Sequence, residues 1–452
     1  MYLNKISWLS INYIISTIKQ TTTNYKMKKN LFTLTALILI AGVSFAQQRP
    51  YDQRGINVFE TPKGTTKPFE KVKLNIGGSF TQGFQALSQS NTASPNMSGT
   101  TNLNKPVEMV PGFNTAYANL YFDTYLADGV TLNMTLYLSS RHHNETWVKG
   151  GYIQFDKLPF LKSDAIDNIM KFTTIKVGHM EINYGDSHFR RSDNGNSIYN
   201  PFIENYIMDA FTTEIGAEFI FQHKGFLGVA SVTNGKIKGD VIKATPVPGA
   251  SDGKHHPAFI GKFGYDGQLM ENLRLRATVS GYHTAGSVSN TLFNGDRAGS
   301  HYFGVMDNAI TTSTFTSGRF NPGFSDKLST VVGNLFVQFG GLEWFTTLES
   351  AKGRNRTEQS ERSANQFATD LLYRFGSTKN FWIGGRYNTV SAQMAASDID
   401  INRVAVSGGW FITKNILAKA EYVSQKYNGF VTTDIRNGGK FNGIVFEAVI
   451  GF

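Results

Sequence analysis

Lys440-Phe441-Asn442-Gly443-Ile444-Val445-Phe446-Glu447-Ala448-Val449-Ile450-Gly451-Phe452 closes the chain, and its reading decides the fold. Counting back by twos from Phe452 gives Ile450, Ala448, Phe446 and Ile444, all apolar or small. The alternate set is Gly451, Val449, Glu447, Val445 and Gly443, smaller and with one charge. A period of two marks a strand with two different faces. Phe446, Ile450 and Phe452 are expected to face lipid, and Glu447 a polar interior.

The same period recurs upstream. Leu132, Met134, Leu136 and Leu138 alternate with Thr131, Asn133, Thr135, Tyr137 and Ser139. Leu273, Leu275, Ala277 and Val279 alternate with Arg274, Arg276, Thr278 and Ser280. Strands are expected near 71–84, 114–127, 130–140, 147–156, 171–184, 212–223, 226–234, 257–266, 272–284, 327–340, 341–352, 362–376, 380–391, 400–412, 415–427 and 440–452. Six connections on one side are short, among them Lys224-Gly225, Gly340-Gly341 and Thr413-Lys414, with hairpin chemistry. The seventh, near Leu158 to Met170, has room for a short helix. The longest connections, 85–113, 185–211, 235–256 and 285–326, all fall on the other side. This predicts an all-β fold: a transmembrane antiparallel up-and-down β-barrel of about 16 strands.

An Arg or Lys facing lipid at the midplane costs about 2–4 kcal/mol, so the charged set must face inward. A ring this wide is not filled by side chains, and a water-filled channel is expected. The expected pore lining is Lys176, Glu214, Glu218, Lys262, Arg274, Arg276, Asp370, Arg374, Arg386, Arg403, Lys419, Glu421 and Glu447. With Lys73, Asp123, Asp266, Glu343 and Glu349, inward bases and acids are equal in number, as though opposed across a pore.

At 171–184, Ile175 and Val177 share one register while Met180, Ile182 and Tyr184 share the other. This predicts a bulge at Gly178. The third outer loop, 185–211, follows. Its charges and its apolar Phe202, Ile203, Tyr206 and Ile207 suit an inward fold. Asp186, His188, Arg190, Arg191, Asp193 and Glu204 are the expected constriction, with the two arginines drawing anions.

Bulk properties agree. The 452 residues contain no cysteine, which removes disulfides and thiolate chemistry. A mean hydropathy of −0.24 is low for a helical membrane protein but ordinary for an alternating barrel. The net charge of +10 includes five lysines and no acid in residues 1–46, leaving 39 basic against 34 acidic residues, or +5. That is too weak a bias for nucleic-acid binding. Within 1–46, Met27-Lys28-Lys29, an apolar run from Leu31 to Val43 and Ser44-Phe45-Ala46 read as a signal peptide starting at Met27. Residues 47–70 read as a periplasmic lead-in and 71–452 as the barrel. No plug domain is expected ahead of the barrel.

The terminal strand resembles the closing strand of bacterial outer-membrane barrels. That resemblance implies outer-membrane localisation and recognition by the barrel assembly machinery. Lys176-Val177-Gly178-His179-Met180-Glu181-Ile182-Asn183-Tyr184-Gly185-Asp186, before a long loop, resembles the phosphate-selective porin O and P family. There a glycine-bounded strand precedes an inward-folded loop; Gly178 and Gly185 hold those places here. The resemblance implies a homotrimer and passive uptake of anions. The balanced inward charges depart from an arginine ladder, so phosphate specificity does not follow.

No cofactor or metal site is expected: His142-His143, His255-His256, His283 and His301 read as exposed loop residues without convergent ligands. No G-x-S-x-G or H-E-x-x-H motif marks an enzyme. A lipid hydrolase on the outer wall and a barrel adhesin are the alternatives. The favoured expectation is a porin passing small hydrophilic solutes, with anion preference.

Overall fold

The computed structural model describes residues 49–63, 69–139, 146–308 and 317–452. The leader, Met27 and His142-His143 lie outside these. Sixteen strands close one antiparallel barrel. They are β1 (Lys73–Ser90), β2 (Gly112–Ala127), β3 (Val130–Ser139), β4 (Thr146–Phe155), β5 (Thr173–Glu181), β6 (Thr213–His223), β7 (Phe226–Thr233) and β8 (Ala258–Met270). The second half comprises β9 (Leu273–Thr284), β10 (Lys327–Phe339), β11 (Leu342–Arg354), β12 (Arg362–Phe375), β13 (Phe381–Gln393), β14 (Asp398–Thr413), β15 (Ile416–Asn428) and β16 (Lys440–Gly451). Each strand pairs with its sequence neighbours, and β16 returns to β1 with Phe84 opposite Phe446. The terminal Phe452 extends this seam: its N–H donates to the Gly78 carbonyl at 3.0 Å. A short helix, α1 (Asp164–Met170), occupies the seventh turn.

The wall has the polarity that the alternation dictates. Phe219, Phe221, Val279, Leu371, Tyr373, Phe446 and Ile450 are exposed on the outside. Their neighbours Glu218, Arg276, Asp370 and Glu447 are buried inside. Only a medium without water makes this arrangement favourable.

Two details differ from the sequence reading. Gly178 has φ of 141° but makes no bulge, because β5 pairs in continuous register on both sides. Met180 is instead an ordinary inward residue. Ile182 and Tyr184 lie past the end of β5, where the chain turns into a packed apolar interior. The interior also differs from a wide wetted bore. Inserted chain fills much of it, so a ring too wide for side chains alone is packed by loops.

Candidate functional site

The candidate site is the barrel interior, built from three inserted segments and the inward face of the wall. The third long loop supplies Phe202, Ile203, Ile207 and Met208, all buried. They pack with inward wall residues including Trp382, Val390, Ile401, Val423 and Val445 in one apolar cluster. The 285–326 loop adds Leu292, Phe293, Tyr302, Phe320 and Phe324 to that cluster. Residues Arg49–Lys63 cross the short-turn end. There Tyr51 stacks on Tyr121 at 3.7 Å and Phe59 meets Phe336 at 5.5 Å. The lead-in therefore enters the barrel instead of remaining outside it, because its aromatic residues find apolar partners only there.

An irregular loop inside a barrel needs partners for its backbone. The wall supplies them. Lys419 Nζ donates to the carbonyls of Ser197, Asn200 and Phe202 at 3.0–3.4 Å. Arg386 donates to the Glu204 carbonyl and Arg403 to the Asn205 carbonyl. In return, Asn388, Gln366 and Glu421 accept from the N–H groups of Ile207, Met208 and Ile203.

The wall charges also pair with each other. Lys176–Glu218 (3.0 Å), Arg386–Asp370 (2.7 Å) and Lys419–Glu447 (2.8 Å) each join directly opposed residues on adjacent strands. Arg276 likewise stands opposite Asp266, and Arg374 reaches Glu343. Many of the inward charges are thus paired between neighbours along the wall, while Lys262 pairs with Glu60 and Asp186 of the inserted segments. Among the expected lining residues, Lys176 and Arg274 keep partial exposure, while Glu214, Glu218, Lys262, Arg276, Asp370, Arg374, Arg386, Arg403, Lys419, Glu421 and Glu447 are buried.

The six expected constriction residues all lie inside but do not form one group. Asp186 is held by Arg276 (2.7 and 2.8 Å), Lys262 (3.1 Å) and Thr278 (2.8 Å). Glu60 of the N-terminal segment joins the same cluster through Arg276 and Lys262. Arg190 points to β10 and β11: it bonds Asn57, lies 3.6 Å from Glu343, and stands over the rings of Phe336 and Phe345. Arg191 turns the other way, to Asp209 and the Phe211 ring. Asp193 accepts from Tyr137 and Lys149. His188 Nδ1 meets Glu181 at 2.7 Å, and Glu204 accepts from Ser300 Oγ and the His301 N–H.

Two arginines converge on one acid. Arg190 Nε and Nη2 and Arg374 Nη1 are buried without an acceptor among the described residues. Both guanidinium groups flank the single carboxylate of Glu343.

Several partners were not expected. His301 is buried, stacks on Tyr117 and bonds Glu447, so it is no exposed loop histidine. Tyr302 bonds Glu421. The signal was present in the aromatic content of 285–326, whose Phe and Tyr residues have nowhere to bury in a solvated loop.

No family model and no curated protein matches the chain. Solved structures do share its fold. An anion-selective porin from Comamonas acidovorans aligns over 84% of this chain and 100% of its own, with 9% identity and a TM-score of 0.50. The outer-membrane channel DcaP of Acinetobacter baumannii aligns over 85% of this chain and 99% of its own, at 12% identity and TM-score 0.47. The trimer form of OmpT, an outer membrane protein of Vibrio cholerae, aligns over 85% and 100%, at 11% and 0.47. The chain has the architecture of a porin-type barrel.

Proposed function

We propose that this protein is a bacterial outer-membrane porin passing small hydrophilic solutes, with a preference for anions. The closed sixteen-strand wall, apolar outside and charged inside, carries the channel reading. The anion preference rests on Arg190 and Arg374. Their unfilled N–H groups around one carboxylate leave a net positive point in a low-dielectric interior. The short-turn end faces the periplasm and the long loops face outward. Lipid surrounds the wall, and a homotrimer and recognition of the C-terminal strand by the assembly machinery are part of the proposal. The protein acts without a cofactor and without catalysing a reaction.

The densely filled interior favours one rival, a closed structural or adhesive barrel. Planar-bilayer recording on the full-length refolded protein separates the two. Discrete conductance with a reversal potential of anionic sign under a salt gradient is expected, and Arg190→Gln should move that potential toward zero. Cation selectivity overturns the anion assignment. Absence of conductance overturns the channel in favour of the closed barrel.

A further inference from the structure

Six of the seven connections at the short-turn end have two to five residues, but β4 and β5 are joined by seventeen, 156–172. A two-residue turn is enough to join adjacent antiparallel strands, so strand pairing does not require this length. The segment is ordered by its own backbone. Pro159–Leu161 form a single 3-10 turn, in which the Leu161 N–H donates to the Leu158 carbonyl at 3.0 Å. In α1, which follows, the Asp167 N–H donates to the Ser163 carbonyl at 2.9 Å. The far end is tied to the wall, where the Phe172 carbonyl accepts from the Gln222 N–H of β6 at 2.8 Å.

The segment lies against the outside of the barrel at both of its ends. Phe160 meets Phe155, which shares the outward register of β4 with exposed Ile153, at 6.4 Å between ring centroids. Phe172 meets Phe221 at 6.2 Å and His223 at 4.5 Å, both on the outward face of β6. Ile166, Ile169 and Met170 fall at i, i+3 and i+4 and form one apolar stripe on α1. Met170 is buried, but Ile169 is 61% exposed, and Phe160 and Leu161 of the 3-10 turn are 62% and 47% exposed.

Three large apolar side chains held rigidly in water are unfavourable, and the same three beside lipid are favourable. The charges of 156–172 are three acids, Asp156, Asp164 and Asp167, and three bases, Lys157, Lys162 and Lys171. They cancel, so the attraction to a membrane is apolar and not electrostatic.

We propose that 156–172 is an interfacial anchor whose Phe160, Leu161 and Ile169 insert into the adjoining lipid leaflet. Lipid is the occupant because the exposed patch is continuous with Ile153, Phe155 and Phe221 of the lipid-facing wall. In the orientation proposed above this is the periplasmic leaflet. The anchor rests on the outer-membrane reading of the wall, but not on conductance.

The chain has no cysteine, so one introduced thiol carries one spin label. The test uses full-length protein refolded into vesicles of phosphatidylcholine with one-fifth phosphatidylglycerol. Collision with oxygen, which partitions into lipid, is compared with collision with a water-soluble nickel chelate. Leu371→Cys, on the outward wall, and Val241→Cys, 97% exposed in a long loop, fix the lipid and water limits. Phe160→Cys and Ile169→Cys should favour oxygen several-fold over the Val241 label, and Asp164→Cys should lie nearer the water limit. The same preference is expected in phosphatidylcholine alone; its loss there would overturn apolar insertion in favour of headgroup charge. Nickel access at positions 160 and 169 equal to that at 241 would overturn the anchor, while the Leu371 label still reports a membrane barrel. Labels at both positions shielded from oxygen and nickel alike would mean that protein, a second copy or another part of this chain, covers the patch, and would also overturn it.

Discussion

Asp186→Asn is the sharpest probe of how the third long loop is held. Asp186 accepts two bonds from Arg276, one from Lys262 and one from Thr278, with all the charged groups buried. Removing its charge leaves Lys262 with Glu60 at 3.2 Å, and Arg276 with Glu60 at 2.7 Å and Asp266 at 3.2 Å. Breaking a buried pair by removing one partner costs about 3–5 kcal/mol. The asparagine oxygen still accepts one bond, so the lower bound of ~3 kcal/mol applies, about a hundredfold in an opening equilibrium. The change is local, because Phe202, Ile203 and Ile207 anchor the far part of the loop. Hydrogen exchange is the assay. The reporters are the Asp186 N–H, bonded to Asn334 at 2.9 Å, and the Arg190 N–H, bonded to the Ser187 carbonyl at 2.9 Å. Both should exchange about a hundredfold faster, while β8 and β9 amides keep their protection. Asp252→Asn, which breaks an exposed pair with His256, should change nothing measurable. Protection at 186–190 within threefold of wild type would refute the reasoning.

Other perturbations follow from the same contacts. Glu447→Gln strands Lys419 and frees His301, so exchange at Ser300–Phe303 should rise well before exchange in β16; equal loss in both would mean strand damage instead. Gly443 has φ of 149°, and a Cβ there would lie 2.1 Å from the Ala86 carbonyl oxygen across the closing seam. Gly443→Val should therefore sharply lower the yield of heat-modifiable folded barrel after refolding, and a normal yield would show that the seam can shift.

The sixteen strands were legible because a barrel wall is local in its logic. Each strand must alternate, each short turn must carry turn residues, and both rules operate within a few residues of sequence. Face assignment followed from one energy, the cost of charge in lipid. The interior was not legible in the same way. Phe336, Phe345, Leu372, Trp382, Val390 and Val445 occupy inward positions and are buried there. In the sequence they sit among charges in the same register, and only the inserted loops explain them. The aromatic residues of 285–326 and of Arg49–Lys63 pointed to burial, but not to where.

The sequence by itself thus determined the number and order of strands, the side on which the loops are long, and which residues face the membrane. Tertiary structure alone decided what the inward charges do. Lys419 and Arg403, expected to line a bore, hold the backbone of a loop more than 190 residues away in sequence. Arg190 and Arg191, adjacent in the chain, point to opposite parts of the interior. Alternation is a property of one strand against its solvent, whereas a lumen is made of groups brought together only when the ring closes.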